Sequence, residues 1–130
     1  MHGPTATHLA SGRCLPILAD VIATGTAVVR VSSLEDLARM KAVATGRVSL
    51  LGNLTGIAMR RWTPAQAELQ VRRTIAKTGP GGGFLLSDNH GEIPWAVPDD
   101  VLLAIREAAD RWGRYPLDWL EDWQDPGDAD

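Results

Sequence analysis

The amino-acid sequence predicts an α/β fold with a parallel sheet, built from three to four successive βα units. Short apolar, β-branched segments alternate along the chain with stretches whose apolar residues recur at helical spacing. Glycines follow the helical stretches, as they often do where a helix ends. Strands that alternate with helices favour a parallel sheet with right-handed crossovers.

The first predicted helix covers about 14–24, because its apolar residues recur at i, i+3 and i+4 and stop at Gly25. The weakly alternating segment 5–10 is a candidate for an additional strand before it. A buried strand is predicted over 27–31. Ser32 and Glu35 then have the spacing of a capping box, which predicts a helix that ends near Gly46.

The same alternation continues through the next unit. A strand is predicted over 48–51 and is expected to break at Gly52 and Asn53. Thr63, Pro64 and Gln66 are typical of a helix start with an N-cap, a proline at N1 and a glutamine at N3. The residues that predict its buried face are Ala67, Val71, Ile75 and Thr78.

A glycine-rich segment precedes the last predicted strand, 83–87. The final helix is expected to begin near Pro98, with Asp99 and Asp100 in its positively polarised first turn, and to end at Gly113. We expect residues 1–117 to form the folded unit and 118–130 an acidic tail. Its tryptophans, Trp119 and Trp123, are predicted to dock on the body of the protein.

Composition narrows the function classes. The chain has 130 residues, 45% of them hydrophobic, and a net charge of -3, which is typical of one soluble domain. No stretch approaches the length of a membrane helix, and no basic cluster indicates nucleic-acid binding. A single cysteine, Cys14, excludes an intrachain disulfide, predicts a buried inert thiol and favours the cytoplasm.

Candidate site residues come from the strand ends, since parallel α/β folds bind ligands at the carboxyl edge of the sheet. The segment 88–91 contains Asp88, Asn89 and His90 before Gly91, which suits proton transfer, carboxylate recognition or metal binding. The alternative is a local turn in which His90 caps a helix or packs on Trp95. A zinc site from His8, Cys14 and His90 matches no standard ligand spacing.

Periodicity does not choose between an open doubly wound sheet and a barrel segment, but a family resemblance does. From about Gly12 to Leu117 the chain resembles the uroporphyrinogen decarboxylase superfamily, which includes a heme-pathway decarboxylase and methylcobalamin-dependent methyltransferases. The similar segments have the family's Gly-Asn strand end, Thr-Pro helix start, strand leading into Gly-His-Gly or Gly-Cys-Gly, and terminal aromatic-Gly-Arg-Tyr. They are LLGNL (50–54), WTPAQ (62–66), GFLLSDNHG (83–91) and WGRY (112–115).

The resemblance implies half of a TIM-type (β/α)8 barrel, because such barrels typically need about 250 residues. The absent first half would supply most of the groups that bind a tetrapyrrole. The implied activity is decarboxylation of uroporphyrinogen, which requires no cofactor and is not expected of this chain alone. The alternatives are a corrinoid-dependent methyltransferase-type domain and a non-catalytic binding remnant.

Within this half, the resemblance carries over one functional residue, His90, as a substrate-contacting or proton-handling imidazole, which we expect to be catalytic. The strand-end residues Asn53, Asp88 and Ser11 are expected to contact the small-molecule substrate, either a tetrapyrrole or a corrinoid with its methyl donor. In the methyltransferase branch, zinc is bound by a His-x-Cys pair and a further cysteine. Here Ser11 replaces the thiol and one extra residue separates it from His8, so a zinc site would be a redesigned one with His8 and His90. The unpaired strands of a half-barrel predict a homodimer or a complementing N-terminal half.

Overall fold

A computed structural model describes residues 3–8 and 12–127 and contains one parallel sheet. Its strand order is β1-β2-β3-β4, so each strand pairs with the one before it in the chain. A doubly wound sheet reverses direction at a switch point, and this sheet does not. The order is that of a barrel segment. The strands are β1 Ala6–His8, β2 Val28–Arg30, β3 Ser49–Leu54 and β4 Phe84–Asp88.

The α-helices connect the strands and pack on one face of the sheet. They are α1 Leu18–Ala23, α2 Leu37–Ala44, α3 Gly56–Met59, α4 Pro64–Thr78 and α5 Asp99–Trp112. Val29 and Leu50 belong to a buried cluster that includes Leu18 and Met40, while Leu54 belongs to a second cluster that includes Val71. The strand residues that point to this face are therefore covered by helices.

The opposite face of the sheet is not covered by any described element. We call it the inner face; it carries the residues that alternate with the buried ones, which are Val28, Arg30, Ser49, Leu51, Asn53, Leu85 and Ser87. None of them is fully buried, and Leu85 is 47% exposed. Parallel sheets normally have both faces covered. The predicted partial TIM-type barrel is the fold observed, and its interior side is bare.

Two predicted helix starts are wrong. The segment from Cys14 begins as a 3-10 helix, Leu15–Ile17, before α1. Helix α2 starts at Leu37 with Asp36 as its N-cap, because the Asp36 carboxylate accepts hydrogen bonds from the N–H groups of Ala38 and Arg39.

Ser32 and Glu35 have other partners and do not form the expected capping box. The Ser32 hydroxyl accepts from the N–H of Leu34. The Glu35 side chain is buried and accepts hydrogen bonds from the N–H groups of Cys14 and Leu15. Burial, then the nearby Glu35 carboxylate, raises the pKa of the Cys14 thiol to about 11. The predicted burial of Cys14 is confirmed. A raised pKa disfavours the reactive thiolate, so the thiol is still expected to be inert.

The expected break at Gly52 and Asn53 is also wrong, because β3 continues through both residues to Leu54. Gly52 has a φ of 146°, and a Cβ at this position would lie 2.8 Å from the carbonyl oxygen of Val31. Glycine therefore lets the strand pass close to β2 without ending it.

The prediction for α4 is confirmed in detail. Thr63 accepts from the N–H of Gln66, and the Gln66 side chain accepts from the N–H of Thr63 at 2.8 Å. Pro64 is the first helical residue. The face predicted to be buried is buried, at Ala67, Val71, Ile75 and Thr78.

The C-terminal tryptophans dock on the helices, as predicted. Trp119 makes an edge-to-face contact with Trp112 and another with Trp123, at centroid distances of 5.4 and 5.5 Å. The guanidinium of Arg72, on α4, lies 4.0 Å from the centre of the Trp112 ring. Among the described residues, no helix is long and apolar enough to cross a bilayer.

Replacing Thr63 with alanine should lower the free energy of unfolding by about 1 kcal/mol, because the N–H of Gln66 loses its acceptor. Urea denaturation of the purified chain measures the change. Thr63→Ser keeps the hydroxyl and is the matched control. Equal stability of the alanine variant and the wild type would contradict the capping role.

Candidate functional site

The carboxyl edge of the sheet brings together residues from all four strands. His8 pairs in register with Arg30, and β3 pairs Asn53 with Ser87 and Leu54 with Asp88. Three of the predicted site residues, His8, Asn53 and Asp88, therefore lie at one edge, and His90 follows two residues after β4. Ser11, the remaining predicted residue, lies outside the described residues.

Asp88 organises the turn after β4. Its Oδ2 atom accepts hydrogen bonds from the N–H groups of His90, at 2.9 Å, and Gly91, while Oδ1 accepts from the Ser87 hydroxyl and from Arg30. Burial alone would raise the pKa of this carboxyl, but these hydrogen bonds outweigh it and lower the pKa below the ordinary value. Asp88 is therefore expected to be charged, and both of its carboxylate oxygens are used in hydrogen bonds that hold the turn.

Arg30 is a site residue that sequence reasoning missed. From β2 its Nη1 donates to the carbonyl oxygen of Asp88 at 3.2 Å and to the carboxylate at 3.3 Å, and the side chain is 15% exposed. Gly91, beside the guanidinium, has a φ of 88°, a backbone conformation that glycine adopts readily and other residues rarely do. The signal was present in the sequence: a charged residue within the predicted apolar strand 27–31 needs a partner when it is buried.

His90 is exposed on the turn that Asp88 and Arg30 hold. Its backbone N–H is bonded to Asp88, and no hydrogen bond links its imidazole to another described residue. Trp95 is fully exposed as well, so the alternative in which His90 packs on Trp95 is not observed. The imidazole is therefore accessible to a ligand, and the hydrogen bond to Asp88 holds the backbone of His90 in place.

Asn53 and Asn89 connect the loops around this edge. The Asn53 amide donates to the carbonyl oxygen of Ser32 at 3.0 Å. The buried Asn89 accepts from the N–H of Gly56 and donates to the Ser33 hydroxyl, both at 3.2 Å. Asn89, predicted as part of the polar turn 88–91, thus ties together the segments after β2, β3 and β4.

The described residues do not fit a zinc centre. They contain no group of three histidine, cysteine or acidic side chains placed to bind one metal ion. Cys14 is buried, and hydrogen bonds to Glu35 occupy the backbone around it. His8 and His90 would supply two imidazoles, whereas a zinc site needs at least three protein ligands.

Comparison with known protein families assigns the chain to one of them. The family model described as Uroporphyrinogen decarboxylase (URO-D) matches residues 2–112. The chain belongs to this family.

Among solved structures, the chain is similar to a methyltransferase from Methanosarcina mazei, with a TM-score of 0.63 and 22% sequence identity. The similarity covers 85% of this chain and 32% of that protein. It shows the shared fold, and the chain spans about a third of the length of that relative. A search of curated proteins finds no match.

The low pKa of Asp88 predicts a pH-dependent stability. Its folded pKa lies below the ordinary value of 3.8, so the carboxylate contributes stability that is fully present above that value and is lost as the pH falls through the folded pKa. Asp88→Asn should therefore be less stable than the wild type near neutral pH, and the gap should narrow in strong acid.

Urea denaturation of both proteins over a pH series measures this gap. Asp122→Asn, in an exposed part of the tail, is the control and should unfold like the wild type at every pH. A gap that stays constant into strong acid would contradict the role of the charged carboxylate.

Proposed function

We propose that this chain supplies the C-terminal half of a uroporphyrinogen decarboxylase-family active site, with His90 as its catalytic imidazole. The observation that carries the proposal is an exposed imidazole on a turn fixed by Asp88 and Arg30, at the carboxyl edge of the sheet and next to a bare inner face. Ligands of barrel enzymes bind at this edge. A small molecule held there would meet His90 directly, with Asn53 and Asp88 at its rim.

The reaction that we favour is decarboxylation of uroporphyrinogen, in the cytoplasm, as part of tetrapyrrole synthesis. Family membership supports it, and an imidazole can act there as a proton donor or acceptor without a cofactor. A methyltransferase-type reaction on a corrinoid is the second candidate, favoured by the similarity to the Methanosarcina mazei protein. Any zinc for that reaction would need ligands beyond the described residues.

The inner face is the reason to expect that the chain acts only as part of an assembly. It exposes Leu85 together with the polar side chains that would line a barrel interior, and β1 and β4 each have one edge that no described strand pairs with. Such edges and apolar surfaces associate with other chains. A second copy or a complementing N-terminal half would cover both.

Replacing Leu85 with lysine should weaken association of the chain, because a charge would enter the covered face. Sedimentation velocity at micromolar concentration should show a dimer or larger species for the wild type and a shift toward monomer for the variant. Leu103→Lys is the matched control, since Leu103 is 56% exposed on α5, away from the inner face. A compact, stable wild-type monomer would overturn the assembly.

His90→Asn should lower turnover of uroporphyrinogen by the assembled barrel about 100-fold or more, because general acid–base catalysis contributes at least that much. The melting temperature should not change, since the imidazole has no hydrogen-bond partner among the described residues. The chain without a complementing half should show no turnover.

Two results would contradict this assignment. Unchanged turnover in the variant would remove His90 from catalysis and favour the non-catalytic binding remnant. A marked loss of stability would favour a structural role for the imidazole.

A further inference from the structure

The guanidinium of Arg30 lies at the carboxyl edge of the sheet, beside the turn that carries His90. Arg30 is on the inner face of β2, yet its Nη1 bonds to Asp88 at the end of β4, two strands away. Adjacent strands lie about 4.8 Å apart, so the side chain extends across β3 to reach that turn. A Cβ at Gly91 would lie 3.6 to 3.8 Å from Nη1, Cζ and Nη2. The cation is therefore next to the residue that follows His90.

Asp88 uses only part of this guanidinium. Both hydrogen bonds come from Nη1, at 3.2 Å to the carbonyl oxygen and 3.3 Å to Oδ1. Charge-assisted bonds of this kind are usually about 2.7–2.9 Å long, and arginine pairs most specifically with a carboxylate through two nitrogens. The Asp88 carboxylate also accepts from the Ser87 hydroxyl and from two backbone N–H groups. The contact between Arg30 and Asp88 is thus long, and it uses a single nitrogen.

The other two nitrogens of Arg30, Nε and Nη2, have no hydrogen-bond partner among the residues that the structure describes. Within the same part of the chain, the buried side-chain nitrogen or oxygen atoms without a partner comprise only Nε of Arg72. Nε and Nη2 of Arg30 therefore reach solvent, although the side chain is only 15% exposed. Nε and Nη2 together form an edge of the guanidinium that can pair with both oxygens of one carboxylate.

The surroundings of Arg30 contain no competing acid on the inner face. The residues in register with it are His8 on β1, Leu51 on β3 and, beyond Leu51, Leu85 on β4. None of the described strand residues on this face is an aspartate or a glutamate. Arg30 is the one permanently charged residue among them, so the face favours an anionic ligand.

We propose that Arg30 binds a carboxylate of the ligand through Nε and Nη2 and thereby positions the ligand against His90. This inference rests on the proposed function, because it needs a ligand at this edge of the sheet. It also narrows the ligand chemistry, since the bound carboxylate is one that the reaction retains. Pairing with the departing carboxylate would stabilise the ground state more than the transition state, because its negative charge moves to carbon as CO₂ leaves. The substrate therefore carries at least one carboxylate besides the one that it loses.

Isothermal titration calorimetry of the chain with indole-3-propionate and with indole-3-propionamide tests the contact without requiring turnover. The two probes share the ring and the linker and differ in the charged group. The acid should bind about tenfold or more tightly than the amide, because only the carboxylate makes a charge-assisted contact through two oxygens. In ¹⁵N NMR spectra, the Nε–H signal of Arg30 should shift with the acid and not with the amide.

Arg30→Lys should bind the acid about tenfold or more weakly than the wild type, because lysine keeps a charge beside Asp88 but lacks the two parallel N–H groups. Arg39→Lys is the matched control, since Arg39 is exposed on α2, and it should bind as the wild type does. Thermal denaturation checks that each variant is folded. If Arg30→Lys does not fold, the comparison of acid and amide on the wild type, with the Arg30 signal, still decides the question.

His90→Asn should bind the acid as the wild type does, since the proposed partners of the carboxylate are on Arg30. Binding that depends on Arg30, without turnover by an assembled barrel, would contradict the proposed catalytic function and support this inference. Turnover that depends on His90, together with equal binding of the acid by Arg30→Lys and the wild type, would do the reverse.

Four results would overturn the carboxylate site: equal binding of acid and amide, unchanged affinity in Arg30→Lys, an Arg30 signal that does not respond to the acid, or no binding of the acid at millimolar concentrations. A similar loss of affinity in Arg39→Lys would indicate general attraction to positive side chains and would overturn it as well.

Discussion

One constraint determines the rest of this structure: a parallel sheet needs cover on both faces, and the described residues supply helices for only one. Successive side chains along β2 and β3 point to opposite faces of the sheet, so each strand has residues on the covered face and residues on the inner face. Val29, Leu50 and Leu54 are buried beneath the helices, whereas Arg30 and Asn53 lie on the inner face. These two polar residues of the candidate site are on that face because the helices leave it free, and Asp88 and His90 follow at the adjoining carboxyl edge of the sheet. In the proposed assembly, covering this face would therefore complete the fold and the site together.

The candidate site contains two kinds of residue: those whose hydrogen bonds hold the loops in place, and one whose side chain is exposed to a ligand. Arg30, Asp88 and Asn89 use their polar atoms on one another's loops and are largely buried. His90 is the exposed member of the same turn, and its imidazole is free of described partners. A fixed backbone with an accessible imidazole is the arrangement expected of a preorganised catalytic group, because little reorientation is then needed when a ligand binds.

Helix α4 connects the body to the tail through two neighbouring arginines with different environments. Arg72 lies over the tryptophan cluster, with its Nε buried and without a hydrogen-bond partner among the described residues. The stabilisation it receives comes from the aromatic rings. Arg73 binds the Asp125 carboxylate through both of its oxygens. The two arginines therefore join the tail to α4 by different interactions, one with aromatic rings and one with a carboxylate.

The sequence by itself determined the α/β class, the helix α4 with its capping box and buried face, and the turn that carries His90, because these features depend on local spacing. The family resemblance, and not the spacing, chose the barrel segment, and the tendency of aromatic rings to be buried predicted the docking of Trp119. It predicted the wrong cap for α2 and a break at Gly52. Only the tertiary structure decided these points, since Glu35 bonds to Cys14, 21 residues away, and Gly52 fits beside Val31, the residue that follows β2. The pairing of Arg30 with Asp88 also depended on the sheet, which places two residues 58 positions apart at one edge.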